Sequence, residues 1–324
     1  MHGGQFLWIG FDGDELSPGL AARLRTLRAY GWILFTRNVT SAQRLQKLCA
    51  DLRDLDPEGL LAIDLEGGPV DRLRTLRGVG RPSAAELAAG GLADIRAAGA
   101  AIGAELRDFG IAVDYAPCVD LGPAQSGTGL ENRLFCEKPE TVIARAGEFL
   151  SGLQGAGVAG CLKHYPGLGG SRVDSHFALP EISGDGAARA AHQQPYRELG
   201  AGCPFVMVAH AVYPELYRDP RPASLNPEAY AALRNDQQFA GAALSDDLHM
   251  KALAAFGAIP ENAVAAILAG ADAALICQDL DSSEAAAQAL TKALREKDFA
   301  ARAESAATRL RAARLRVREI AARG

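Results

Sequence analysis

Eight apolar runs of strand length, alternating with segments whose apolar residues recur at i, i+3, i+4 and i+7, limit this chain more than any other feature. The runs are "FLWIGFDG" (6–13), "GWILFTRN" (31–38), "LLAIDLEGG" (60–68), "IAVDYAPCVDLG" (111–122), "GVAGCLKHYPG" (157–167), "CPFVMVAHAVYP" (203–214), "GAALSDDLHM" (241–250) and "ADAALICQD" (271–279). Between them lie helical patterns such as "PGLAARLRTLRAYG", "TSAQRLQKLCADLRD" and "TVIARAGEFLSGLQGAG". A doubly wound open sheet fits the alternation, but eight units within 324 residues favour closure. The expectation is an α/β fold, a single (β/α)8 TIM-type barrel over residues 1–324, with no linker, repeat or low-complexity segment.

In such a barrel the site is built at the carboxyl ends of the strands. The apolar runs end in Asp12, Arg37, Asp64 with Glu66, Asp114 and Asp120, Lys163 with His164, His210, Asp246 with Asp247, and Gln278 with Asp279. Each taken alone is readable as a hydrogen-bonded group at a loop start. Their convergence on one rim is less easily read that way. The stretches 121–139 and 166–181 fall where a barrel carries its site loops.

Composition narrows the partners. Net charge is −5 and the basic residues are scattered, which argues against a nucleic-acid partner. The arginine-rich end "RLRAARLRVREIAARG" keeps apolar residues at helical spacing and reads as a packed helix. Six cysteines without paired spacing, several inside apolar runs, read as buried free thiols of a reducing compartment. The first residues, "MHGGQFLWIGFDGDE", lack the pattern of a secretion signal, and the longest apolar tract holds Asp272. A cytoplasmic protein without membrane contact is expected; oligomeric state is not legible.

The chemistry open to the rim is bounded by what is missing. No His-x-His or His-Glu-x-x-His pattern occurs, so neither metal nor cofactor is expected. No Gly-x-Ser-x-Gly turn is present for a serine nucleophile. Lys163 as a Schiff-base lysine is a conceivable alternative, since a barrel-strand lysine can be desolvated. Glycoside hydrolysis fits better, because it needs a carboxylate at the sugar's anomeric carbon and a proton donor at the leaving oxygen. An aspartate of "SDDLHM" ends an apolar strand and meets the first need. The segment "KHYPGLGGSRVDSH" (163–176) meets the second: Asp174 would orient His176 and stabilise its cationic form, on a loop whose glycines permit movement.

With these residues in place, the chain resembles the single-domain bacterial β-N-acetylglucosaminidases (β-N-acetylhexosaminidases) of glycoside hydrolase family 3. The resemblance runs through "ILFTRN", "AIDLEGGPVDRL", "VDYAPCVDL", "ENRLF", "KHYPGLGGSRVDSHFALP", "MVAHAVYP", "PASLNP", "LSDDLHM" and "LAGADAALIC". It implies a retaining hydrolase of terminal N-acetyl-β-glucosaminides, of the type that works in peptidoglycan recycling, with a small carbohydrate as its partner. Asp246 would be the nucleophile, His176 the acid/base and Asp174 its partner, while Asp64, Arg72, Arg133, Lys163 and His164 would hold the sugar. Asp247 would support rather than react. Leu65 stands where the family usually has glutamine and Leu168 where histidine is common, which leaves loop position and leaving-group preference open. A glycoside phosphorylase on the same site and a sugar-binding barrel without turnover are the alternatives.

Overall fold

Each of the eight apolar runs forms a strand in the computed structural model, which describes residues 1–184 and 186–324. In chain order they are β1 (Leu7–Ile9), β2 (Gly31–Leu34), β3 (Leu60–Ile63), β4 (Val113–Asp114), β5 (Cys161–Tyr165), β6 (Phe205–Val208), β7 (Ala242–Asp247) and β8 (Ala273–Ile276). All neighbours pair parallel, with β1 between β2 and β8. The remaining seam, between β4 and β5, is closed by Asp114 N–H to Ala159 O (2.8 Å) and Val119 N–H to Lys163 O (2.8 Å). The sheet is therefore a barrel with helices outside, as the eight-unit pattern predicts.

The barrel closes around aromatic side chains. Trp8 of β1 is fully buried and meets Tyr115 and Phe205 edge-on at 5.6 and 6.0 Å. These partners come from the end of β4 and from β6, so the indole spans the interior. Gly31 opens β2 beside it, where a Cβ would stand 2.4 Å from a Trp8 ring carbon.

The strand-to-helix connections end in short polar side chains that satisfy first-turn N–H groups. Ser17 Oγ accepts from Leu20 N–H, Ser41 Oγ from Arg44 N–H and Asp279 Oδ1 from Ser282 N–H, at 3.2, 3.2 and 2.7 Å. Such caps fix where each helix begins, and so how much chain is left to form the rim. The arginine-rich end is a packed helix, Lys297–Ala321, burying Phe299, Ala303, Ala306, Leu310, Ala313, Val317 and Ile320. Five of the six cysteines are buried, Cys136 is half-buried, and all are free. No helix among the described residues is long and apolar enough to cross a membrane.

Candidate active site

One cavity opens at the carboxyl ends of the strands, and it gathers every residue that the sequence assigns to the site: Asp64, Arg72, Arg133, Lys163, His164, Asp174, His176 and Asp246. Its floor is a buried ionic cluster. Lys163 Nζ stands 2.8 Å from Asp64 Oδ1 and 2.6 Å from Glu66 Oε1, and Arg133 grips Glu66 with Nε and Nη2 at 2.9 and 2.8 Å. Burial alone would push the Glu66 carboxyl up, but the Arg133 and Lys163 charges outweigh it and hold it far below the usual carboxylate range. Burial likewise works against the Lys163 charge, and the Asp64 and Glu66 carboxylates more than offset it. The Lys163 ammonium is thus paired twice, which favours a binding role over the Schiff-base alternative, since that chemistry needs a neutral amine. Arg72 reaches Asp64 at 3.7 Å, and its buried Nε has no protein acceptor among the described residues.

His164 is fixed from behind by Asp120. The Asp120 carboxylate accepts from His164 Nδ1 at 2.8 Å and from the Leu168 backbone N–H at 2.7 Å. Burial raises the Asp120 pKa, but the His164 ring outweighs burial and keeps the group below its ordinary value. The ring's Nε2 is thereby left toward Arg133, 3.5 Å away. Cys118, Asp120 and His164 place three potential metal donors within 4.8 Å of one another. Here Cys118 Sγ donates to Asp120 (3.2 Å) and Asp120 serves His164 and Leu168, so the trio already works as a hydrogen-bonded support. The two departures from the family pattern are apolar and buried: Leu65 packs in the core with its N–H on Asp114 Oδ1 (2.9 Å), and Leu168 lines the cavity. With Leu168 the loop keeps its anchor through the backbone, not the side chain.

Asp246 and Asp247 end β7, and they differ in what they touch. Asp246 lines the cavity and accepts from the Asp247 N–H at 2.8 Å. Burial pushes its carboxyl up, but His210, His164 and His176 around it outweigh that and hold it below the ordinary value, so it is anionic at neutral pH. Asp247 is bound up in the fold: its Oδ1 accepts from Cys277 N–H (3.0 Å) and lies 3.2 Å from His249 Nδ1, while His249 Nε2 meets Asp279 at 3.0 Å. His176 Nδ1 donates to Asp174 Oδ1 at 2.7 Å and its backbone N–H to the same oxygen at 2.9 Å. The imidazole is 61% exposed at the cavity wall, so Nε2 is free to meet a ligand while Nδ1 is engaged.

Several strand-end residues stay outside the cavity. Asp12 is 82% exposed and pairs with Arg37 at 3.0 Å on the outer rim. Gln278 and Asp279 do not line it either, and Asp114 is buried beneath it. His210 is a structural group. Burial lowers its pKa, its Nε2–H donates to Asp247 O (3.0 Å), and its Nδ1 meets Ser224 Oγ (2.6 Å), which holds β7 in place. Conversely, Glu66 and Asp120 were visible as strand-end carboxylates without being assigned to the site. Their partners lie 67 and 44 residues away in sequence, beyond any spacing argument.

The profile of the glycosyl hydrolase family 3 N terminal domain matches residues 15–313. The chain belongs to glycoside hydrolase family 3. This family 3 enzyme is 33% identical over 302 residues to a β-hexosaminidase of Pseudomonas aeruginosa, covering 90% of this chain and 87% of that one. Its barrel superposes with a TM-score of 0.89 and 31% identity on a family 3 β-N-acetylglucosaminidase from Paenibacillus sp. str. FPU-7, covering 98% of this chain and 62% of that protein. It also superposes with a TM-score of 0.78 and 29% identity on NagZ from Neisseria gonorrhoeae in complex with N-trifluoroacetyl-D-glucosamine, covering 98% and 97% of the two chains.

Proposed function

We propose that this glycoside hydrolase is a retaining β-N-acetylhexosaminidase that removes terminal N-acetyl-β-glucosamine, and that residues 1–324 form one catalytic barrel domain. Asp246 attacks the anomeric carbon as His176, protonated and steadied by Asp174, gives its proton to the leaving oxygen. The covalent glycosyl-enzyme is then hydrolysed by a water that neutral His176 activates, so the configuration at the anomeric carbon is retained. Lys163, Arg133, Asp64, Arg72 and His164 bind the hydroxyls of the sugar. The observation that carries this reading is that an ionised strand-end aspartate and an imidazole–carboxylate pair line one cavity above a buried ionic floor. The sugar analogue bound to the gonococcal relative supports the choice of an N-acetylated amino sugar. A cytoplasmic role in peptidoglycan recycling is the biological setting that the family resemblance implies.

The assignment is tested with aryl β-glycosides of N-acetylglucosamine, glucose and xylose. The 2-acetamido sugar is expected to be preferred, and turnover should not require phosphate. Asp246→Ala should lower kcat by at least about 10⁴-fold with an unchanged circular dichroism spectrum, because the covalent step has no substitute nucleophile. Appreciable activity in that variant rejects the nucleophile, and a preference for glucose rejects the substrate.

A further inference from the structure

The proposed acid/base pair depends on where the Asp174 carboxylate sits, and a turn from another part of the chain is packed directly against it. Gly129, on the loop after β4, lines the cavity with φ +75°. A Cβ built there would lie 2.9 Å from Asp174 Oδ2, 3.0 Å from its Cγ and 3.2 Å from its Oδ1. The Gly129 carbonyl accepts from Arg133 Nη1 at 2.7 Å, and Arg133 is the residue that grips Glu66 in the ionic floor. The turn is tied by Glu131, whose carboxylate accepts from the Thr128 N–H at 3.2 Å and from the Gly127 N–H. On its other side the pair is fastened to the segment after β7, through Lys251 N–H to His176 O (3.4 Å) and Ala252 N–H to Ser175 O (3.3 Å).

We propose that Gly129 is a positioning residue for proton transfer. Its bare Cα lets Asp174 approach closely enough to aim His176 Nε2 into the cavity, and its carbonyl ties that position to the sugar-binding Arg133. The inference rests on the acid/base reading of His176 and Asp174. Both hydrogen bonds from His176 end on Asp174 Oδ1, so a carboxylate pushed aside carries the ring with it. Proton transfer is sensitive to such displacement: a misplacement of about 1 Å costs on the order of 10²-fold in rate.

The chain supplies its own control. Gly127 lies in the same turn with φ +79°, but a Cβ there meets nothing within 4 Å. Gly127→Ala and Gly129→Ala therefore impose the same kind of backbone strain, and only the second crowds Asp174. Both are compared with His176→Ala on two N-acetyl-β-glucosaminides, one with phenol as leaving group, which needs the proton, and one with 2,4-dinitrophenol, which does not. The readout is kcat/KM, which reports the first chemical step.

His176→Ala is expected to lower kcat/KM for the phenyl substrate by about 10²–10⁴-fold while largely sparing the dinitrophenyl one. Gly129→Ala should show the same asymmetry in milder form, about 10–100-fold against less than about threefold, and azide should speed its turnover of the dinitrophenyl substrate. Gly127→Ala should leave both within about threefold. Gly129→Asn repeats the crowding with a residue that tolerates positive φ, should the alanine variant fold poorly. Equal losses on both substrates in the Gly129 variants, no loss in either, or a Gly127→Ala that behaves like Gly129→Ala would overturn the inference while leaving His176 in its role. An absence of leaving-group dependence in His176→Ala itself would overturn the acid/base reading and the inference with it.

Discussion

Single residues in this site divide by which protonation state their surroundings hold. Asp246 is kept below the usual carboxylate range by the histidines that outweigh its burial. The acidic limb of kcat/KM is therefore expected below about pH 4, the ordinary value for aspartate, with the nucleophile already ionised at every higher pH. A kcat/KM profile from about pH 3 to about pH 7 checks this, and an acidic limb that sets in well above that value assigns the nucleophile elsewhere. That Asp246, His176 and Asp174 would reach the rim was legible, because Asp246 ends an apolar strand and the other two stand on a glycine-containing loop after one. Glu66, Asp120 and Gly129 were not assigned, since their roles consist entirely of contacts with Lys163, Arg133, His164 and Asp174.

Elements are locked together by buried charge as well as by apolar packing. Asp272, at the foot of β8, is fully buried and receives three guanidinium groups: Arg234 at 2.6 Å, Arg302 at 3.2 Å and Arg309 at 2.9 Å. Arg234 comes from the helix Pro227–Asn235 and the other two from Lys297–Ala321, so one carboxylate joins two outer helices to the barrel. It also accepts from the Ala243 N–H at the start of β7 (2.9 Å). Removing it leaves converging cations without their counter-charge. Asp272→Ala should lose about 3–5 kcal/mol of unfolding free energy, read by urea denaturation, while an exposed pair such as Lys47–Asp51 should contribute less than about 1 kcal/mol. At the opposite end, His249 bridges Asp247 of β7 and Asp279, which caps the helix Leu280–Ala293. The order of these elements could be read from periodicity; their ties could not, because the paired residues are about 30 positions apart or more.

For the whole molecule, imidazoles that are harder to protonate in the fold than in the unfolded chain should cost stability in mild acid. Burial, helped by the Arg189 guanidinium, lowers the His192 pKa from 6.5 to about 4, and burial lowers that of His210 as well. Between those values the unfolded chain binds protons that the folded chain does not. The contribution is therefore complete above pH 6.5 and lost as pH falls toward 4, on the order of 3 kcal/mol for His192. Urea midpoints across pH 4–8 measure it, and His192→Gln should flatten the slope. The eight strand–helix units, their order and the polar character of the strand ends were settled by the sequence alone, since periodicity and local capping are carried by neighbouring residues. Only the tertiary structure decided that Lys163 is clamped between Asp64 and Glu66, that His210 and Asp247 brace β7, and that Asp12 faces outward. Which way a side chain points at a strand's end depends on barrel register, and which charge it meets depends on loops that the closed barrel brings together from distant parts of the chain.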